Sequence, residues 1–130
     1  MSEAQPVILV VDDDPFVAEM LVILLEDEGY AVESANDGRE AMAVFLQNPA
    51  MDLVLSDMNM PGMDGLELTR EILKVNGEVP ILLLTARDDE SFTREARLCG
   101  VSRCLVKDEN LMDEIAGIVG QALKEAAGAR

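Results

Sequence analysis

The chain has 130 residues, 49% of them hydrophobic, and its formal net charge at pH 7 is −16. This length suits a single domain with a hydrophobic core, and the acidic excess argues against binding to the phosphates of nucleic acid. No apolar run approaches the roughly 18 residues of a membrane span. The two cysteines form no secretory disulfide pattern, so we expect a cytoplasmic protein. The acidic charge favours protein partners, and the polar first six residues and the lack of a long apolar run predict no signal peptide and no membrane association.

Apolar periodicity and turn residues predict strands that alternate with helices. After a leader over residues 1–6, strands are predicted at residues 7–11, 30–35, 53–56, 80–84 and 103–106. Helices are predicted from Asp14-Pro15 to Gly29, from a capping box at 37–40 to Asn48, from Asp64 to Val75, through Phe92 to Gly100, and from about Asn110 to Ala126. This alternation predicts an α/β fold with a doubly wound parallel sheet.

Polar side chains stand at the carboxyl ends of four predicted strands. Asp12 and Asp13 follow the first strand, Asp57 the third, Thr85 the fourth and Lys107 the fifth. A strand order of 2-1-3-4-5 would place the first and third strands side by side, so their carboxylates would share the sheet edge where ligands bind. Clustered carboxylates repel, and Mg²⁺, which prefers oxygen ligands, would relieve this repulsion. The charges of three carboxylates, Mg²⁺ and the lysine cancel, which suits a dianionic phosphoryl group.

The same residues carry a family resemblance. The chain resembles the response-regulator receiver domain over roughly residues 7–123. The resemblance lies in Asp12-Asp13, in Asp57 with the Met-Asn-Met-Pro-Gly-Met-Asp-Gly segment after it, in Thr85-Ala86 and in Lys107. The resemblance implies a flavodoxin-like sheet of five parallel strands, in the order 2-1-3-4-5, flanked by five helices. It also implies one receiver domain over residues 1–130 with a core of about 7–124, residues 125–130 being a tail or the start of a linker.

The resemblance implies a role for each site residue. Asp57 would take a phosphoryl group from a sensor histidine kinase or a histidine phosphotransfer protein, and the domain would switch an unknown downstream protein. Asp13, Asp57 and the backbone carbonyl of Asn59 would hold Mg²⁺, for which Mn²⁺ could substitute, and Asp12 would act through a bound water. Lys107 would pair with the phosphoryl oxygens. The chain would catalyse only its own phosphorylation and dephosphorylation, and would not itself bind nucleic acid.

Other positions are expected to affect the signal. Thr85 would move toward the phosphoryl group, and the side chains of Asn59 and Arg87 would border the path of the hydrolytic water. The family usually has an aromatic residue three positions before the lysine, where this chain has Cys104, and a proline after the lysine, where it has Asp108. We therefore expect a trans bond between Lys107 and Asp108 and an output that does not use an aromatic switch.

Several local features have simpler interpretations. Asp14 is expected to cap the first helix, and Cys99 and Cys104 to be small core residues. Gly117 and Gly120 weaken the last helix unless they pack against a neighbour. The methionines of the loop after Asp57, which are Met58, Met60 and Met63, are interpreted as an adaptable contact surface.

Two other functions remain open on the sequence. One is a receiver-like interaction module that is never phosphorylated, although such modules usually lack one of the acids or the lysine. The other is a phosphohydrolase of the haloacid dehalogenase kind, which also uses a strand-end aspartate as nucleophile. That kind needs a second acid two residues after the nucleophile, where this chain has Asn59, and a cap domain, for which 130 residues leave no room.

Overall fold

The computed structural model describes residues 5–86 and 90–128. Over this part of the chain, one parallel sheet has the strand order β2-β1-β3-β4-β5, which confirms the predicted fold class. The strands are β1 (Val7–Val11), β2 (Ala31–Ala35), β3 (Leu53–Asp57), β4 (Ile81–Thr85) and β5 (Arg103–Val106). The helices are α1 (Pro15–Asp27), α2 (Gly38–Gln47), α3 (Gly65–Val75), α4 (Glu90–Cys99) and α5 (Leu111–Gly128).

Aspartates cap three of these helices, as the sequence predicts. The Asp14 side chain accepts hydrogen bonds from two backbone N–H groups in the first turn of α1. Asp37 and Asp64 each accept one from the N–H group three residues later, at the starts of α2 and α3. These bonds satisfy donors that have no partner within the helix. Gly29 ends α1 with a φ of 95°, a left-handed conformation that favours glycine.

Both faces of the sheet are covered. The alternation of side chains along β1 sends Leu9 and Val11 into the cluster beneath α2, α3 and α4, whereas Ile8 and Val10 join the cluster beneath α1 and α5. The strands β1, β3 and β4 each pair on both sides, and β3 and β4 are buried along their whole length. The central strands thus form a rigid base whose carboxyl ends open to one edge.

Two strands run one residue beyond their predicted ends, and each extra residue belongs to the predicted site. β3 ends at Asp57, which pairs with Leu84, and β4 ends at Thr85, which pairs with Val106. In the sequence, the first polar residue marks the predicted end of an apolar strand. In the structure, a strand ends where its pairing with the neighbouring strands ends. Asp57 and Thr85 are consequently held by the sheet.

Other boundaries also differ slightly from the prediction. β2 begins at Ala31 because the Tyr30 N–H group donates to the Leu25 carbonyl at the end of α1, at 3.3 Å. β4 begins at Ile81, after Pro80, which has no N–H group for the ladder. α5 continues through the predicted tail to Gly128. The alanine-rich end of this helix favours that continuation.

The structure also tests the expectations for single residues. No peptide bond within 5–86 and 90–128 is cis, so the bond between Lys107 and Asp108 is trans, as predicted. Met60 is only 8% exposed and belongs to the core, so its assignment to a contact surface is wrong. Met60 joins the core cluster on the α2, α3 and α4 side of the sheet. The expectation for Arg87 lies outside the described residues, and no helix within the described ranges is long and apolar enough to cross a membrane.

Candidate functional site

The first and third strands deliver two buried carboxylates to the same edge of the sheet. β1 pairs directly with β3, and Asp12 follows β1 where Asp57 ends β3. Asp12 is fully buried and Asp57 is 6% exposed. The Asp12 N–H group donates to the carbonyl of Ala35 at 3.1 Å, which extends the ladder by one bond beyond β1. The backbone therefore fixes the position of both acids.

A third carboxylate completes the cluster. Asp12, Asp13 and Asp57 each offer one oxygen atom, and these atoms all lie within 4.8 Å of one another. Asp13 is exposed and lies at the mouth of the site, whereas Asp12 lies at its base. The donors are all hard oxygens, and Mg²⁺ prefers such ligands.

Lys107 reaches this cluster from beyond the end of β5. Its Nζ atom lies 3.0 Å from Oδ2 of Asp12 and 3.2 Å from Oδ1 of Asp57. Burial lowers the pKa of the ammonium, but the hydrogen bond to Asp12 and the charges of Asp12 and Asp57 outweigh burial and raise that pKa above its usual value. Lys107 is therefore a permanent cation at neutral pH, and it links the two buried acids.

The Asp57 carboxyl has a raised pKa. Burial is the main cause, the charge of Lys107 acts in the opposite direction, and repulsion from Asp12 raises the pKa further. The N–H group of Asn59 donates to Oδ1 of Asp57 at 3.4 Å, which favours the ionised form weakly. The site thus destabilises the negative charge on Asp57 while it holds the carboxyl in place. A further cation would remove this destabilisation.

Thr85 and Asn59 lie near the cluster, Thr85 at the end of β4 and Asn59 two residues after Asp57. Thr85 is 8% exposed at the end of β4, and its carbonyl accepts a hydrogen bond from the Lys107 N–H group at 2.8 Å. Asn59 is exposed in the loop between β3 and α3. All six predicted site residues therefore lie at this edge of the sheet: Asp12, Asp13, Asp57, Asn59, Thr85 and Lys107.

Two supporting residues were not identified from the sequence. The Ser56 hydroxyl, which is buried, donates to the carbonyl of Asp57 at 2.9 Å. Its only sequence signal is a polar residue within an apolar strand. Gly38, which the sequence places merely in a capping box, lies against the side chain of Met63 in the loop after Asp57. Nothing in the local pattern indicates that long-range contact.

At the position of the usual aromatic residue, Cys104 of β5 is partly buried and faces α4. Burial raises the pKa of its thiol more than the hydrogen bond with Thr93 and the charge of Arg97 lower it. Cys99 and Cys104 are both free thiols. Cys104 packs against the core beneath α4, which agrees with its interpretation as a small core residue.

Comparison with known proteins identifies the family. The family model described as "Response regulator receiver domain" matches residues 8–118. The chain belongs to this family. It is a receiver domain of the two-component response regulators, a signalling module, and the resemblance found in the sequence is confirmed.

Named receivers of several kinds are similar to this one. The transcriptional regulatory protein AruR of Pseudomonas aeruginosa is 41% identical over 81% of the chain and 44% of its own length. The sensor histidine kinase RcsC of Salmonella typhimurium is 40% identical over 85% of the chain and 12% of its own length. The solved chemotaxis protein CheY4 of Vibrio cholerae has a TM-score of 0.85 and 32% identity, over 92% of this chain and 99% of that protein. The receiver thus spans less than half of both curated relatives.

Proposed function

We propose that this receiver accepts a phosphoryl group on Asp57 in a Mg²⁺-dependent reaction. The observation that carries the proposal is the arrangement around Lys107. Its Nζ atom lies within 3.2 Å of Asp57 and 3.0 Å of Asp12, while Asp13 stands at the mouth of the same cluster. A carboxylate nucleophile is thereby held beside a fixed cation and a set of oxygen ligands. Phosphoryl transfer requires this positioning and charge more than covalent assistance.

The residues present fit a magnesium ion. Asp13, Asp57 and the backbone carbonyl of Asn59 would hold it, and Asp12 would act through a bound water; Mn²⁺ has the same ligand preferences and could substitute. The raised pKa of Asp57 supports this assignment, because the cluster lacks positive charge with Lys107 alone. The metal would supply charge neutralisation for the oxygens of the incoming phosphoryl group.

The proposed reaction uses Asp57 as the nucleophile and Lys107 as the cation beside it. A carboxylate oxygen of Asp57 attacks phosphorus in the phosphohistidine of a sensor kinase or phosphotransfer protein, and an oxygen–phosphorus bond forms as the phosphorus–nitrogen bond breaks. The released imidazole nitrogen takes a proton from solvent. Lys107 then pairs with phosphoryl oxygens, and the Thr85 hydroxyl donates to another. Water later attacks the acyl phosphate and regenerates the Asp57 carboxylate with release of inorganic phosphate. The receiver would catalyse only these two steps on itself.

The signal would pass to a protein. Movement of Thr85 toward the phosphoryl group would change its own loop and the start of α4, where a downstream protein would bind. The charge of −16 supports a partner other than nucleic acid for this domain. The free thiols of Cys99 and Cys104 support a reducing, cytoplasmic location. We further propose that residues 1–130 are one receiver domain.

Labelling with a small phosphodonor tests this function. Acetyl phosphate with Mg²⁺ should phosphorylate the parent, and Asp57→Asn should abolish the acid-labile product seen by mass spectrometry. Asp27→Asn, an exposed change at the end of α1, is the matched control and should label like the parent. Label retained in Asp57→Asn would refute Asp57 as the acceptor. A parent that never labels would favour the unphosphorylated interaction module, and turnover of a generic phosphatase substrate would favour the phosphohydrolase.

A further inference from the structure

Gly38, the first residue of α2, lies against the loop that follows Asp57. A Cβ atom at position 38 would lie 2.7 Å from the Cβ of Met63 and 2.9 Å from its Cγ and Sδ atoms. Carbon atoms pack at about 3.5–4.0 Å, so a larger residue at position 38 must displace Met63. Rotation of the Met63 side chain cannot relieve the contact fully, because the Cβ atom moves only with the backbone. Glycine is required here by this close approach.

The same loop is fixed where it leaves the sheet and where it enters α3. The Met58 N–H group donates to the carbonyl of Leu84 at 2.8 Å, and the Gly65 N–H group donates to the carbonyl of Met58 at 2.9 Å. A Cβ atom at position 65 would lie 2.9 Å from the Asp57 carbonyl oxygen, so the loop closes tightly on itself. Met60 is buried in the core. The loop therefore has little freedom except on the side that faces α2.

We propose that Gly38 is a positioning residue for the metal site, acting through Met63 on Asn59. The inference rests on the proposed function, in which the Asn59 carbonyl is a ligand of Mg²⁺. The start of α2 is a fixed surface, because the Asp37 side chain caps the helix and the Glu40 carboxylate accepts from the Asn36 N–H group at 2.6 Å. Met63 rests on this surface at Gly38. With both loop ends fixed, a displacement at Met63 must be taken up by the residues between, which include Asn59.

A double-mutant cycle isolates this coupling. Gly38→Ala should weaken Mg²⁺ binding about tenfold, the low end of the range for residues that orient metal ligands. Met63→Gly removes the contact from the other side and should also weaken binding. Adding Gly38→Ala to Met63→Gly should then change the affinity little further, since no Cβ remains at position 63 to be displaced. Gly117→Ala is the matched control, because a Cβ there would meet nothing within 4 Å.

Mg²⁺ titrations followed by nuclear magnetic resonance give two readouts for each variant. The affinity comes from the titration, and the resonance of the Asn59 amide in metal-free protein reports whether the loop has moved. The inference predicts a shifted Asn59 amide and weaker binding in Gly38→Ala, with both changes absent from Gly117→Ala. A loss of stability alone would leave the Asn59 resonance of the folded protein in place.

Each outcome of the cycle has a defined meaning. Parent-like affinity in Gly38→Ala, or an equal loss in both backgrounds, would overturn the inference. Should Gly38→Ala not fold, parent-like affinity in Met63→Gly would overturn it equally well. Failure of acetyl phosphate to label the parent at Asp57 would refute the proposed function separately, since neither the Mg²⁺ affinity nor the Asn59 resonance depends on phosphorylation.

Discussion

The Nζ atom of Lys107 lies 3.0 Å from Oδ2 of Asp12, a carboxylate that is fully buried at the base of the site. The second oxygen of Asp12 accepts a hydrogen bond from the Asp14 N–H group at 2.9 Å. Both oxygens of this buried acid are thus satisfied within the protein. The contact connects the end of β5 with the end of β1, across the two intervening strands, so it also holds the sheet edge together.

Removal of Lys107 should therefore destabilise the fold. Lys107→Ala leaves Asp12 buried with no cation beside it, and we expect a loss of about 2 kcal/mol in the free energy of unfolding, because breaking a buried pair exposes the full cost of the remaining charge. Lys74→Ala, which removes an exposed pair with Glu71, should change stability by less than about 0.5 kcal/mol. Urea unfolding at pH 7 without metal measures both. Equal effects would contradict the role of the Asp12 contact.

Removal of the Asp57 charge should stabilise the fold, in contrast to removal of Lys107. Its pKa is raised in the folded protein, so the native state binds this proton more tightly than the unfolded state does. Stability contributed by this group therefore falls as the pH rises from the unfolded value near 3.8 through the raised folded value, and the whole cost is present above it. Asp57→Asn should stabilise the metal-free protein at pH 7, with a gain that shrinks as the pH falls toward 3.8.

Urea unfolding of parent and Asp57→Asn between pH 4 and pH 8, in the presence of EDTA, checks this dependence. A gain that is the same at every pH would show that the charge of Asp57 is not its cause. A variant less stable than the parent at pH 7 would show that attraction to Lys107 outweighs burial. Asp27→Asn again serves as the control, because its carboxylate is exposed at the end of α1 opposite to Asp14.

Magnesium should stabilise the protein through the same carboxylates. A ligand that binds only the native state adds about 2.7 kcal/mol at a concentration 100 times its dissociation constant. Asp13→Asn removes the exposed carboxylate at the mouth, so it should reduce the rise in melting temperature that Mg²⁺ produces. It should leave the buried contact between Asp12 and Lys107 intact. Thermal unfolding with and without Mg²⁺ measures the difference, and an undiminished rise in Asp13→Asn would contradict the assignment of this ligand.

Gly117 and Gly120, both within α5, should both accept alanine with a gain in stability. A Cβ at Gly117 would meet nothing within 4 Å, whereas one at Gly120 would lie 3.5 Å from the Tyr30 hydroxyl. Gly117→Ala should stabilise the protein by about 1 kcal/mol, the difference in helix propensity between the two residues. Gly120→Ala keeps the same propensity gain with an ordinary contact to Tyr30 added. A lower free energy of unfolding in Gly117→Ala would contradict the open space beside Gly117 on α5.

Activation should leave β5 largely unchanged. Cys104 of β5 is much smaller than an aromatic residue and has a hydrogen bond with Thr93 of α4, so it has no large side chain whose rotation could reshape this surface. Amide hydrogen exchange with Mg²⁺ and beryllofluoride, a mimic of the phosphoryl group, should show altered protection near Thr85 and at the start of α4. Equal changes across residues 103–118 would show that coupling to β5 operates without an aromatic switch.

Local patterns predicted most of the fold, because each apolar run and each capping aspartate carries its own signal. The acidic cluster could also be predicted, since parallel strands bring their carboxyl ends to one edge. The different burial of Asp12 and Asp13 could not, because both follow the same strand and only the packing above them distinguishes the two. The contact of Gly38 with Met63 was equally hidden, since it joins the start of α2 to a loop that is distant in sequence. Long-range packing, rather than local preference, determines these details.

Chemical trapping of the phosphorylated residue tests the central claim most directly. Borohydride reduces an aspartyl phosphate to homoserine, so treatment after acetyl phosphate and Mg²⁺ marks the acceptor permanently for peptide mass spectrometry. We predict homoserine at position 57 alone, only when phosphodonor and Mg²⁺ are both present. Homoserine at Asp12, Asp13 or another acid, or none at position 57 under these conditions, would contradict the assignment of Asp57 as the phosphoacceptor.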